Sequence, residues 1–366
     1  MLKKIIHHRH TLLIFILAII AYTLFFEFNR IFPSNINWLF KERGDWGQHY
    51  LGWAFFKNQA WQFPLGEITN YSYPGGTNIV FTDSLPLLAI FFKIFNFLLP
   101  ENFQFLGLWL FICTFLNGLF SFKLLRHYKV SLLFSYAFVF LLMMNPVFMF
   151  RASHAALYVH WFIIGSVYYF VSIQNDKDYS RNFKKVLFFF IISGLISPYF
   201  TLFLAGFISI FLVLNVLQKY IPIYKTLLFV FVSAIIEFFL LYVVGAIGGG
   251  EKLGSEGNYN MFGMNLNSLF NSRGMASLID GFPVYRGDQL EGYMYLGAGF
   301  IALIIIVFIL FPFYFKNKKR LFSKKYILLF VLTVLFSVFS ISHEVALNDA
   351  LLFTIPFMEN ITPMGL

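Results

Sequence analysis

Long apolar runs separated by short basic segments set the pattern of the chain. Nine of these runs approach the ~20 apolar residues a helix needs to cross a bilayer: 11–27, 103–122, 130–150, 157–173, 186–200, 201–217, 226–246, 296–315 and 326–342. The 186–217 stretch is one run, divided at Ser197-Pro198 because proline lacks a backbone donor and clashes with the preceding turn. A single kinked helix is the alternative. The pattern predicts an all-α fold, a polytopic transmembrane bundle of about nine spanning helices.

A tenth run, 84–99, is 16 residues long and carries Lys93 and Asn96. If it spanned, every later basic loop up to Lys325 would fall outside. It is expected instead to lie in the membrane interface, with Lys93 snorkelling to the headgroups. The first outside loop then covers 28–102 and the second 247–295. The second opens on Gly248-Gly249-Gly250 and is rich in Gly, Asn and Ser, so part of it is expected to be mobile. Four segments follow: 1–246 with its outside loop, 247–295, two further spans in 296–342, and an outside tail, 343–366. The tail ends on Thr362-Pro363-Met364-Gly365-Leu366 without a closing helix, which leaves open that the chain is a fragment.

Composition sharpens this picture. Of 366 residues, 59% are hydrophobic and only 12% charged, against about a quarter charged in soluble domains. Lipid must therefore solvate much of the surface. The net charge of +10 does not indicate nucleic acid, because topology explains it. With the N-terminus in the cytoplasm, 18 of 27 basic residues fall on cytoplasmic segments, whereas only Asp176 and Asp178 of the 17 acidic residues do. Lys3, Lys4 and Arg9 precede the first run and no cleavage site follows, as in a signal anchor. Cys113 is the single cysteine and lies in an apolar run, so there is neither a disulfide framework nor zinc spacing.

The first outside loop holds the most informative pattern, Gly44-Asp45-Trp46-Gly47-Gln48-His49-Tyr50-Leu51-Gly52-Trp53. On a helix, Asp45, Gln48 and His49 share one face. Trp46, Tyr50 and Trp53 form an adjoining aromatic face suited to the membrane interface. Asp45 followed by Gln48 also resembles a helix cap, and a cap and a catalytic carboxylate are compatible. Asp83-Ser84-Leu85-Pro86 reads most simply as a helix start.

An acidic residue in the first outside loop, just after the first span, resembles the hallmark of the GT-C superfamily of membrane glycosyltransferases. Residues 44–65 and Thr82–Lys93 are similar to an uncharacterised bacterial membrane family, domain of unknown function 6311. The resemblance implies a seven-helix module at 1–246 and transfer of a sugar from a polyprenyl-phosphate donor to a glycan or protein acceptor. It also implies a bacterial inner membrane with the active face periplasmic or extracellular. The chemistry needs a carboxylate to take the acceptor hydroxyl proton and cations to stabilise the leaving phosphate. Asp45 is the expected base, with a divalent cation, Mg or Mn, as its other role. His49 and Gln48 would orient substrate, and Asp83 would join the site if it is more than a cap.

Arg151 and His154 stand one helical turn apart after Asn145-Pro146 and suit a phosphate, unless Arg151 merely snorkels. In the second loop Arg286 is another phosphate ligand, and Glu291 and Tyr293 should sit at membrane level before the eighth span. His160 beside Trp161 reads as a buried structural histidine. Glu237, deep in a span, requires a polar partner or protonation. The competing reading is a non-catalytic transporter or flippase of lipid-linked glycan, which would place its site at the bilayer midplane.

Overall fold

A computed structural model of the chain describes residues 2–41, 45–247, 263–285, 292–314 and 323–356. The chain is mostly helical and divides into two compact units, Met1–Met144 with Phe148–Leu253, and Asn145–Val147 with Gly254–Leu366.

The first unit begins with α1 (Leu2–Phe25), α2 (Asn37–Lys41) and α3 (Trp46–Asn58), followed by the short hairpin β1 (Glu67–Ile68) and β2 (Thr77–Asn78) and by α4 (Pro86–Ile94). Next come α5 (Leu106–His127), α6 (Leu132–Met143), the part of α7 (Pro146–Phe150) from Phe148 on, α8 (Trp161–Val171), α9 (Asp176–Ser193), α10 (Pro198–Gln218) and α11 (Ile223–Val244). Helix α5 is central and packs on α1, α6 and α8, whereas α9 packs on α8, α10 and α11. Aromatic rings fill the seams. Phe120 stacks on Trp161 at 6.1 Å, and Phe189 meets Trp161 edge-on at 5.2 Å. Helix α11 leaves Leu227, Phe231, Phe238 and Phe239 exposed, the surface of a helix whose solvent is lipid.

Among the described residues, six helical stretches are long and apolar enough to cross a membrane: His8–Phe25, Leu106–His127, Leu132–Ser153, Pro198–Gln218, Ile223–Val244 and Lys324–Ile341. The remaining apolar runs also form helices. The stretches Ala155–Val171 and Ala298–Phe311 are shorter. Helix α9 starts well upstream of its apolar run, because Asn175 Oδ1 accepts from Asp178 N at 3.0 Å and Asp176 and Asp178 sit at the positive end of the helix dipole. The basic segment expected as a loop is therefore its first half. Helices α9 and α10 are separate, and Pro198 is the first residue of α10.

The 84–99 run forms no helix long enough to cross. Helix α4 has nine residues and gives way to a 3-10 turn at Asn96–Leu98. Nine residues rise about 14 Å, less than half the ~30 Å hydrocarbon core. Two expectations fail here. Lys93 is buried rather than snorkelling, at 5% exposure. Neither Asp83 nor Ser84 caps α4, whose N-cap position is Leu85 at φ 54. Leu87 N donates instead to Leu195 O at the α9–α10 break, 2.8 Å away.

The hairpin loop is fastened to the end of α11. Leu65 N and Gly66 N donate to the carbonyls of Val243 and Val244. Asn78 Nδ2 also donates to Val244 O, at 2.8 Å. These bonds satisfy carbonyls that a helix C-terminus otherwise leaves orphaned.

The second unit contains α12 (Ala298–Tyr314), α13 (Lys324–Ile341) and an antiparallel hairpin of β3 (Glu344–Leu347) and β4 (Ala350–Thr354). The segment expected as an outside tail without a closing helix, 343–366, thus opens on a β-hairpin. Its two-residue turn is Asn348-Asp349, with Asn348 at φ 55. Residues 263–285 of the second loop are knitted to it by buried asparagines. Asn265 Oδ1 accepts from Asn348 N, Asn265 Nδ2 donates to Asn348 O, and Asn267 Nδ2 reaches Asn348 Oδ1 at 2.8 Å.

Candidate functional site

Helix α3 presents the first acid. Asp45 occupies its N-cap position, yet its side chain makes no capping hydrogen bond. The Asp45 carboxylate instead faces His154, with Oδ2 3.4 Å from Nδ1. His154 stands between two 3-10 turns, Arg151–Ser153 and Ala155–Tyr158. The second turn is held by Trp109 of α5, which donates from Nε1 to Ala155 O at 2.8 Å.

One turn into α3, His49 is buried at 1% exposure. Its Nε2 lies 3.0 Å from Ser153 O and 3.5 Å from Asp83 Oδ2, and its Nδ1 lies 3.4 Å from Thr82 O. Oxygen acceptors thus flank both ring nitrogens, and an imidazole bearing one proton donates to only one side. Asp83 is in the left-handed region at φ 54, a conformation Asp tolerates better than most residues. Desolvation raises its carboxyl above the ordinary value. The nearby imidazoles of His49 and His154 oppose the rise, and the Asp45 carboxylate adds to it. Two acids and two histidines therefore share one electrostatic neighbourhood.

A tight contact fixes the spacing. Ser84 Oγ donates to His49 O at 2.7 Å and pairs with Thr82 Oγ1 at 2.8 Å. Both hydroxyls press on Gly52, where a Cβ would stand 2.3 Å from Thr82 Oγ1. Thr82, Ser84 and Gly52 are absent from the sequence-based site, although a glycine inside a helix was the available signal.

Asp45, His49, Asp83 and His154 converge, but the other expected residues are placed differently. Gln48 shares the start of α3 but is exposed. Arg151 opens the turn that carries Ser153 and His154, with its side chain half-buried. Trp46, Tyr50 and Trp53 are buried in protein, which corrects the interfacial reading of that face. Trp53 Nε1 donates to Phe103 O at 2.8 Å. Arg286 and Glu291 lie outside the described residues. Tyr293 is buried in the second unit, beside Tyr295. Glu237 of α11 has its expected polar partner, Thr201, at 3.3 Å, and lies over Gly194.

Among the described residues, no three His, Cys, Asp or Glu side chains are grouped as a metal site. A magnesium ion needs no such cage, since it commonly takes one or two carboxylates with water and substrate phosphate. Asp45, partly open, fits that limited role.

Six long apolar helices and a loop-borne acid–histidine cluster are the features of an integral membrane protein with a polar site. The chain belongs to the family described as Domain of unknown function (DUF6311), whose model matches residues 15–365. No curated protein and no solved structure matches it.

Proposed function

We propose that the protein is a GT-C-type membrane glycosyltransferase with about nine spans and a cytoplasmic N-terminus, acting on the outer face of a bacterial inner membrane. The observation that carries this reading is that Asp45 forgoes the cap and turns its carboxylate to His154. Asp45 takes the proton of an acceptor hydroxyl as that oxygen attacks the anomeric carbon of a polyprenyl-phosphate sugar. The carbon–oxygen bond to phosphate breaks, and the polyprenyl phosphate leaves with the electron pair. His154 orients Asp45. Arg151 balances the charge developing on the phosphate. Magnesium or manganese would be held by Asp45 and would offset the charge developing on the leaving phosphate; activity lost to a chelator and restored by the ion would establish it, and chelator-resistant activity would remove it from the scheme.

The test is Asp45→Asn with a lipid-linked donor. Losing a general base costs about 10²–10⁴-fold in rate. A lost cap costs only about 1 kcal/mol of stability, and the structure shows no side-chain cap to lose. The expected outcome is normal folding with turnover down at least a hundredfold. Near-normal turnover would end the catalytic assignment. Flipping of lipid-linked glycan is the second reading. It is favoured by Glu237 Oε2, which is buried without a hydrogen-bond partner beside the α9–α10 break. Transbilayer movement abolished by Glu237→Gln, with Asp45→Asn harmless, would select it.

A further inference from the structure

A cleft of about 340 Å³ opens at the far end of α3, lined by Lys57, Asn58, Gln59, Trp61, Lys93 and Asn96. Lys57 is twelve residues beyond Asp45, which along a helix is about 18 Å, so the cleft is separate from the acid–histidine cluster. Its two lysines are used differently. Lys57 Nζ donates to the carbonyls of Pro100 and Glu101, which hold it in place. Lys93 is 95% buried, and its Nζ lies 3.9 Å from the Phe56 ring centroid and 4.6 Å from that of Trp61. Among the described residues it has no hydrogen-bond acceptor and no carboxylate. The aromatic faces offset part of its lost hydration, and its N–H groups bond to no protein oxygen among the described residues. Burial lowers its pKa to about 8, because desolvation disfavours the ammonium.

We propose that this cleft binds a hydroxylated phosphate ester, with Lys93 as the principal cation and Lys57 supplying a second positive charge. A cleft of this volume holds more than a bare phosphate. Asn58 and Asn96 each donate one amide hydrogen, to Ala54 O and Lys57 O, and their amide oxygens are available to accept from ligand hydroxyls. The ester is either a lipid headgroup or a soluble molecule. Beside the cleft, Phe91 and Ile94 of α4 and Phe97 and Leu98 after it are exposed, so a lipid can reach it. The proposal does not rest on the glycosyltransferase reading.

The experiment follows Lys93 by peptide mass spectrometry of the full-length protein in a maltoside detergent at pH 8, using an amine-reactive label. Bound phosphate raises the Lys93 pKa and should slow its labelling by about tenfold or more. Glycerol phosphate, phosphatidylglycerol and diacylglycerol are the three additions. Protection by glycerol phosphate and phosphatidylglycerol establishes the phosphate ester, and protection by phosphatidylglycerol alone assigns it to lipid. No protection, or equal protection by diacylglycerol, overturns the proposal. Lys93→Met should lose the thermal stabilisation given by the protecting ester, and stabilisation retained by a folded Lys93→Met protein would also overturn it. If that variant does not fold, the wild-type labelling pattern alone decides.

Discussion

At Asp83 the chain holds a carboxyl in a place that resists its ionisation. Desolvation raises its pKa, so folding favours the protonated form. Between its unfolded and folded pKa values the unfolded state loses its proton first, and stability falls as pH rises. At neutral pH, above its unfolded pKa, the burial of this carboxyl is therefore a standing cost to stability. Asp83→Asn removes the charge and keeps a residue that tolerates φ 54. We expect a higher midpoint of thermal unfolding at pH 7 than in the wild type, with the gain vanishing toward pH 3. A gain that persisted unchanged at pH 3 would refute the electrostatic account. The same variant should turn over more slowly, since His49 loses its carboxylate partner. Asp45 was legible as a chemical residue because an acid after a first span stands out in an apolar chain. Its pairing with His154 was not, although His154 itself was expected in the site as a phosphate ligand, because the two are over a hundred residues apart and sequence spacing carries no information on that contact. Lys93 was legible as an anomaly, but its direction was misread. Snorkelling is the default for a lysine in an apolar run, and only the positions of Phe56 and Trp61 reverse it.

The contact between α3 and the 82–84 turn decides whether the elements meet at all. Gly52→Ala gains about 1 kcal/mol of helix propensity. It also drives a methyl into Thr82 and Ser84, whose hydroxyls are buried and hydrogen-bonded. Overpacking of this kind costs about 1–3 kcal/mol, so the clash should win. A lower unfolding temperature and displacement of Asp83 from His49 are expected, read as reduced turnover. Unchanged stability and activity would mean that α3 can slide away without consequence. At this scale most helices were readable, because long apolar runs in a chain this poor in charge allow few alternatives. The β3–β4 hairpin was missed although Asn348-Asp349 between apolar runs is a recognisable turn signal. Those runs are short, and hydrophobicity alone does not distinguish such strands from a membrane tail.

Across the whole molecule, the split of basic and acidic residues predicts the orientation. Single cysteines at Asn70 and Ser180 test it with an impermeant label. Asn70 should react from outside and Ser180 should not, and the reverse result would invert the map. The hairpin's attachment to α11 also imposes an order on assembly. Asn78 and its acceptor on Val244 are separated by 166 residues. At about 5–20 residues per second of synthesis, the loop waits roughly 8–33 seconds for its mooring. A chain truncated after α10 should therefore be cut readily by protease within residues 59–82, whereas one continuing through α11 should resist. The loop that leads to Asp83 is thus moored only when a helix made much later arrives, and synthesis interrupted before that point should leave it loose.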